Sequence, residues 1–323
     1  MSLPNINPNV AVSLEKWHAM VASKDLAGAR PQDVIRWAAE AFRGRVLISQ
    51  SMANTALAHL VHTVAPEIPA VFLDTGDRLF LIDCGAGLDY AGAVAALGHR
   101  ALAGLVLTHA HADHWLALPE ALAQLAPDGW VARPGLTLAP AVLRAQALFE
   151  FFDRPIDTER LMAAWEALPP RALADVPDQP LWDVNAGASA AAIELAEADW
   201  ERVHCACITP AIRCAGQVGV FGADLDGGQW ARIADALPRS IALLQAPNHG
   251  GPPGRMARAL LDDHLRPGVV VVTDAQPIVD DHLDWYAAGG RAAYTLQDRR
   301  TITVTMTAAG VEVDVGGLAL PMA

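Results

Sequence analysis

The sequence predicts an α/β protein in which sheets are layered against helices. Three observations carry that expectation. Helix-like and strand-like segments alternate along most of the chain. Two apolar runs, Val71-Phe72-Leu73 and Leu79-Phe80-Leu81-Ile82, flank a short turn with a glycine in it. A second strand pair, Thr301–Thr307 and Val311–Val315, lies near the end. Such alternation lets each sheet bury its faces against neighbouring layers. Apolar residues make up 53% of the 323 positions and charged residues only 18%, ample material for the core this needs.

The elements follow in order. Ser13 to Leu26, with Leu14, Trp17, His18 and Val21 near helical spacing, reads as an amphipathic helix capped by Ser13. A second helix spans Pro31 to Phe42, where Pro31 suits the first turn and Gly44 a stop. Arg45–Ser49 is a short strand, Thr55–Thr63 a further helix, and Pro69–Asp74 a strand. The stretch Asp74-Thr75-Gly76-Asp77-Arg78 turns that strand into Leu79–Ile82 as a hairpin. Tyr90–Leu97 reads as a helix, Leu102–Leu107 as a buried strand, and Leu116–Leu125 as a helix. Val142–Phe152 and Thr158–Leu168 look like amphipathic helices, with prolines 169, 170, 177 and 180 around their joins. Residues 126–200 are expected to be a helical insertion, serving as a lid or specificity wall or simply packing on the surface.

The most informative segment follows the strand at 102–107. Thr108-His109-Ala110-His111-Ala112-Asp113-His114 places three imidazoles and a carboxylate within six residues. His109 and His111 are two apart, so a turn leaving the strand can aim both at one cation. Asp113 and His114 are spaced to serve a second cation close by. Neutral imidazole and carboxylate suit zinc, and also iron or manganese. A histidine run on a solvated loop is the bland alternative; its placement directly after a buried strand argues against that.

Composition bounds the partners. No apolar run reaches the ~18 residues of a membrane helix, and the first residues, Met1-Ser2-Leu3-Pro4-Asn5, lack the basic start and apolar stretch of a signal peptide. Four cysteines (Cys84, Cys205, Cys207, Cys214) do not form a disulfide framework, so a cytoplasmic, reduced protein is expected. The net charge of −13, with only two lysines, Lys16 and Lys24, disfavours long nucleic acid, whose phosphates demand cationic partners. A small-molecule substrate is expected instead.

Leu107 to His114 resembles the signature of the metallo-β-lactamase superfamily of metal-dependent hydrolases. Leu79-Phe80-Leu81-Ile82-Asp83-Cys84-Gly85 resembles the early strand of that family ending in Asp-x-Gly. Val218 to Asp224 resembles the strand that delivers a metal-bridging aspartate, and Ala246-Pro247-Asn248-His249-Gly250-Gly251 the loop with the last histidine. The resemblance spans roughly residues 68 to 316 and sharpens the fold to a four-layer αββα sandwich with metal at one edge. Its hydrolase domain would cover 67–318, behind a helical, βαβ-like extension at 1–66 that packs on it. Within that extension, Ser13 to Ala22 resembles the opening helix of SnoaL-like proteins, and residues 29–76 the start of phosphoadenylylsulfate reductases. The stretch Ser49-Gln50-Ser51-Met52-Ala53-Asn54 lacks the glycines a phosphate cradle needs.

The family resemblance implies two divalent ions, zinc foremost and Mn2+ or Fe2+ as alternatives. His109, His111 and His204 would hold one, Asp113, His114 and His249 the other, with Asp224 bridging. His204 lies twenty residues before Asp224, as in typical members, although the DNA-uptake-channel-like branch often has asparagine there. Cys205 and Cys207, if on a strand, share one face; they read as buried apolar cysteines more readily than as soft ligands. Asp113 would shuttle the proton and Asp83 would orient a ligand histidine from behind. His282 is a substrate contact by resemblance to the same branch, or a solvated loop histidine. Asn248 and Gly251 replace a histidine and a serine of that branch, which removes groups that would contact a phosphoryl oxygen. The implied activity is a binuclear hydrolase using a metal-bridging hydroxide on a small ester, lactone, amide or phosphodiester. A non-catalytic mosaic scaffold with a structural or incomplete metal site is the alternative. A nucleotide-binding, sulfate-assimilation-like role through residues 29–76 is another; a flavodiiron-type redox protein would need a flavin module that is not readable.

Overall fold

Two sheets face each other through alternating side chains, and the alternation explains the layering. The structure, a computed structural model, describes residues 70–135, 157–176, 180–186, 200–251, 254–273, 279–295 and 301–315. The first sheet holds β1 (Val71–Asp74), β2 (Leu79–Ile82), β3 (Leu102–Val106) and β4 (Leu125–Ala132) in that order. β1 and β2 form the antiparallel hairpin, with Asp74 opposite Leu79, and β2, β3 and β4 run parallel. The turn is secured by Gly76, at φ +88°, whose N–H donates to Asp74 Oδ1 at 2.7 Å.

The second sheet has the order β10 (Ala292–Thr295), β9 (Val269–Val272), β8 (Leu243–Gln245), β7 (Gln217–Phe221), β6 (Pro210–Cys214), β5 (Leu181–Asp183). β7 to β10 are parallel, whereas β5, β6 and β7 are antiparallel. A separate hairpin, β11 (Ile302–Thr307) with β12 (Gly310–Val315), is the pair expected near the end of the chain.

Successive strand residues point to opposite faces, and three apolar layers result. Phe80, Ile82 and Val106 from one sheet meet Phe221, Leu243 and Val271 from the other in the middle layer. Leu79, Leu81 and Leu105 point outward and are covered by α1 (Tyr90–Ala96), α2 (Leu118–Leu122) and α3 (Thr158–Glu166), through Val94, Leu118 and Trp165. Val220, Leu244 and Val270 point the other way, against Trp230 of α4 (Gly227–Arg232) and Tyr286 of α5 (Val279–Ala287). Helix, sheet, sheet, helix: the architecture is the four-layer αββα sandwich. The hairpin β11–β12 seals the middle layer with Val304 and Met306.

Several expectations shift. The stretch from 126 opens not as helix but as β4, because it pairs with β3 from Leu102 to Val106, and a further strand, β5, lies at 181–183. α2 is shorter than Leu116–Leu125 since Leu125 already belongs to β4. His204 to Cys207 is not strand: residues 200–206 form a tight helical turn, and β6 starts at Pro210. The chain divides into two units, 1–66 with 148–155 and 67–147 with 156–323. The expected elements before residue 69 and the helix at 142–152 lie outside the described residues, as do the SnoaL-like and most of the reductase-like segments.

Two predictions follow from this packing. A Cβ on Gly104 of β3 would lie 2.3 Å from the ring of Trp130, its partner on β4. Gly104→Ala should therefore cost about 1–3 kcal/mol in urea unfolding, and the additional change Trp130→Leu should recover part of it; an unchanged midpoint would refute this packing. Asp183, at the end of β5, accepts from the backbone N–H of Asn185 and Thr209, both at 2.9 Å. Burial pushes its carboxyl up to about 6. The folded state then binds the proton more tightly than the unfolded one, so this contribution is full below pH ~4 and is lost as pH rises through about 6. Asp183→Asn keeps the accepting oxygen; it should flatten the pH dependence of unfolding between pH ~4 and ~6 and add roughly 1–2 kcal/mol at neutral pH.

Candidate metal centre

The site forms where the C-terminal ends of β2, β3, β7 and β8 meet, the place where parallel strands release their loops. β3 releases Thr108 to His111 and then a single helical turn, Ala112–His114. β2 releases Asp83 at φ +58°. β7 ends in Gly222, where a Cβ would lie 2.8 Å from Gln245 O and from the Pro247 backbone; only glycine lets the ends of β7 and β8 come this close. Ala223 then turns left-handed (φ +46°) and Asp224 follows. From β8 the chain passes through Asn248 and His249, also left-handed at φ +49° and +53°, with Asn248 N–H donating to Ala223 O at 2.8 Å. Such backbone conformations cost free energy and cluster at functional sites.

Two groups of donors gather. His109, His111, His204 and Asp224 form one, and Asp113, His114 and His249 the other, each with its ligand atoms within 4.8 Å of one another. His111 Nδ1 lies 3.1 Å from His109 Nε2 and 2.9 Å from His204 Nε2. Asp224 Oδ2 is 3.8 Å from His109 Nε2 and 3.6 Å from both His114 Nε2 and His204 Nε2, while Oδ1 faces His249 Nε2 at 3.8 Å. Asp224 thus touches both groups. A tetrahedral ion with bonds of about 2.1 Å needs donors roughly 3.4 Å apart, so these separations fit a cation. His114 Nε2 makes the same case: it is buried without a hydrogen-bond partner and faces Asp113 Oδ2 and Asp224 Oδ2, each at 3.6 Å.

Hydrogen bonds behind the donors fix the rings. His114 Nδ1 meets Asp83 Oδ2 at 2.7 Å. Thr108 donates its N–H to Asp83 Oδ1 at 2.8 Å and its hydroxyl to Asp83 Oδ2 at 2.7 Å. Thr108 Oγ1 also lies 3.0 Å from His109 Nδ1, and Thr273 Oγ1 lies 3.1 Å from His249 Nδ1. Neither threonine carried a role in the sequence reading. The signal available was position: each lies within two residues of the end of a parallel strand.

Electrostatics prepare the donors. Burial, with the positive charge of neighbouring imidazoles added, pushes His109 well below its usual value and His111 down to about 4; His204 is lowered by burial as well. All three are neutral at pH 7, as metal ligation requires. Burial opposes ionisation of Asp224, yet His114 and His249 hold its carboxyl well below the ordinary range. His114 runs the other way: against burial, the carboxylates of Asp113, Asp83 and Asp224 raise it well above 6.5. Three carboxylates around one imidazole call for positive charge there, whether a proton or a metal ion.

The remaining expected residues are placed as follows. His282 lies not on a loop but on α5, its Cβ 3.5 Å from where a Cβ on Gly250 would be, next to His249. Cys207 is fully buried, with its thiol pushed up by burial, and no cysteine joins either donor group among the described residues. His109, His114 and Asp224 form the buried floor, whereas Asp113, His204 and His249 keep 21–23% of their side chains exposed and form the mouth. Among the described residues no helix is long and apolar enough to cross a membrane.

Asp83→Asn places an amide where two donors, Thr108 Oγ1 and His114 Nδ1, now meet one carboxylate oxygen. Zinc affinity measured by chelator competition should fall about 10–100-fold. Wild-type affinity in that variant would mean that His114 needs no support from Asp83.

Residues 67–189 match the metallo-beta-lactamase superfamily model. Ribonuclease Z of Mycobacterium marinum is 25% identical over 249 residues, covering 74% of this chain and 78% of that protein. Adenosine 5'-phosphosulfate reductase of Streptomyces coelicolor is 40% identical over 55 residues, 17% of this chain and only 23% of the reductase, a fragment likeness in keeping with the one at the N-terminus. Among solved structures, the metallo-beta-lactamase fold protein YhfI from Bacillus subtilis covers 77% of this chain and 92% of its own, at 14% identity and a TM-score of 0.41. The family model over residues 67–189, the ordered landmarks and the four-layer fold agree in their likeness to the metallo-β-lactamase superfamily.

Proposed function

We propose that the chain is a cytoplasmic, binuclear metal-dependent hydrolase, most suited to zinc, acting on a small ester, lactone, amide or phosphodiester. One observation carries this reading: seven donor side chains from four separate segments converge in two groups, with Asp224 touching both. His109, His111 and His204 would hold one ion, Asp113, His114 and His249 the other, and Asp224 both. When bound, such a pair of ions supplies an activated water near neutral pH and polarises the scissile bond.

The chain's own groups do the rest. Asp113 Oδ2, at the mouth, can take the proton of the attacking water and return it to the leaving group. Asp83 and Thr108 hold His114 and His109 in a fixed tautomer, and Thr273 does so for His249. His282, whose Cβ lies close to Gly250, would be a substrate contact. The likeness to ribonuclease Z favours a phosphodiester within this set. The net charge of −13 and the loss of polar groups at Asn248 and Gly251 favour a short substrate over a long polyanion.

The test is metal content followed by a substrate panel. Zinc-reconstituted protein should hold two ions per chain by elemental analysis, and one or fewer would overturn the binuclear reading. Against bis-aryl phosphate, lactone, thioester and β-lactam substrates, Asp113→Asn should lower kcat by about 10²–10⁴-fold on whichever is turned over. Unchanged kcat would remove Asp113 from the proton path.

A further inference from the structure

His204 is the donor with the least regular support. It sits in the turn 200–206, outside any sheet, and must still bring Nε2 to 2.9 Å from His111 and 3.6 Å from Asp224. We propose that Asn185, two residues past the end of β5, is the positioning residue that makes His204 a metal ligand; the inference rests on the metal-centre reading above. The Asn185 side chain is fully buried, and its Nδ2 donates to Cys205 O at 3.3 Å and to Cys207 O at 2.8 Å, the carbonyls one and three residues beyond His204. One amide therefore clamps the segment that carries the imidazole.

The clamp is itself held at both ends. Asn185 N–H donates to Asp183 Oδ1, which also accepts from Thr209 N–H, so the strand ends flanking the His204 turn are tied together. Asn185 Oδ1 accepts from Gln229 Nε2 at 3.3 Å. Gln229, 3% exposed, belongs to α4, which starts three residues beyond Asp224 and is capped by Asp226. The network thus connects the segment bearing His204 with the one bearing the shared carboxylate. Buried amides are costly unless satisfied, and a core position facing apolar neighbours would be filled more cheaply by leucine. Both polar ends of Asn185 are used, and both lead to the metal centre.

The experiment is cobalt titration of the full chain, read by the visible d–d absorption and by competition with a chelator. In Asn185→Asp, nearly the same in volume, an acceptor replaces the donor that faces two carbonyls. It should weaken the ion held by His109, His111 and His204 by about 10–100-fold and reproduce the spectrum of His204→Ala. The double variant should be no weaker than His204→Ala alone within about twofold, since both changes act through one ligand. Gln229→Met, which removes the partner of Oδ1 together with the acceptor of Arg232 Nη1, should shift affinity in the same direction by less and serves if Asn185→Asp melts early. A wild-type spectrum in Asn185→Asp, additive losses in the double variant, or a His204→Ala spectrum equal to wild type would each overturn the proposal. A wild-type stoichiometry of one ion would sink the binuclear reading alone, because the comparison with His204→Ala still decides the role of Asn185.

Discussion

A carboxylate that is only 7% exposed, Asp224, is the constraint on which the other parts of the site depend. An unpaired charge in such a place is prohibitive, so the chain must bring positive or polarisable partners to it. Four imidazoles lie within 3.8 Å of its oxygens, and they come from three different segments. The backbone bears the cost locally: Asp83, Ala223, Asn248 and His249 all adopt left-handed conformations within these loops. Gly222 lets two strand ends close on each other, the approach that brings Asp224 and His249 to 3.8 Å.

Strand parity makes the convergence possible. In β2 and β3, Phe80, Ile82 and Val106 point into the middle layer, while Leu79, Leu81 and Leu105 face the helices. The same alternation in β7 and β8 puts the two sheets in register about one apolar layer. The strand ends of both sheets then emerge at one edge, and the loops leaving them need only a few residues to meet. A one-residue slip in any of these strands would exchange its faces and turn its loop away. Collision of Gly104 with Trp130 matters for this reason: β3 carries four of the donors on the loop that follows it.

Much of this was legible in the residues. The cluster His109 to His114 is local, and its spacing after a strand encodes the chemistry directly. Asp83, Asp224 and His249 lie far apart in sequence, but each closes an apolar run, so strand-end position reveals them once the family pattern is known. His204 was harder to place, because its segment is a helical turn and not the strand that would put Cys205 and Cys207 on one face. Cys205 to Ile208 is apolar enough for a strand, yet its carbonyls are taken by Asn185 instead of a neighbouring strand. The start of the 126–200 stretch was misread for the opposite reason. β4 contains Pro127, Asp128 and Gly129, which look like a turn, and only pairing with β3 across a register shift makes it a strand. Thr108 and Thr273 carry no periodic signal at all; their roles arise from contacts across the fold.

The two donor groups differ in a way that bears on chemistry. The first offers three imidazoles, all neutral at pH 7 through burial, and shares one carboxylate. The second sets two imidazoles beside Asp113 and the same shared carboxylate, with Asp83 behind His114. More negative charge around fewer nitrogens suits a harder ion, so the two groups differ in the hardness of the donors they offer. Exposure runs along the same axis. Asp113 and His249 stand at the mouth with His204, while His109 is fully buried. From solvent, the Asp113 carboxylate is therefore reached before the nitrogen-rich floor.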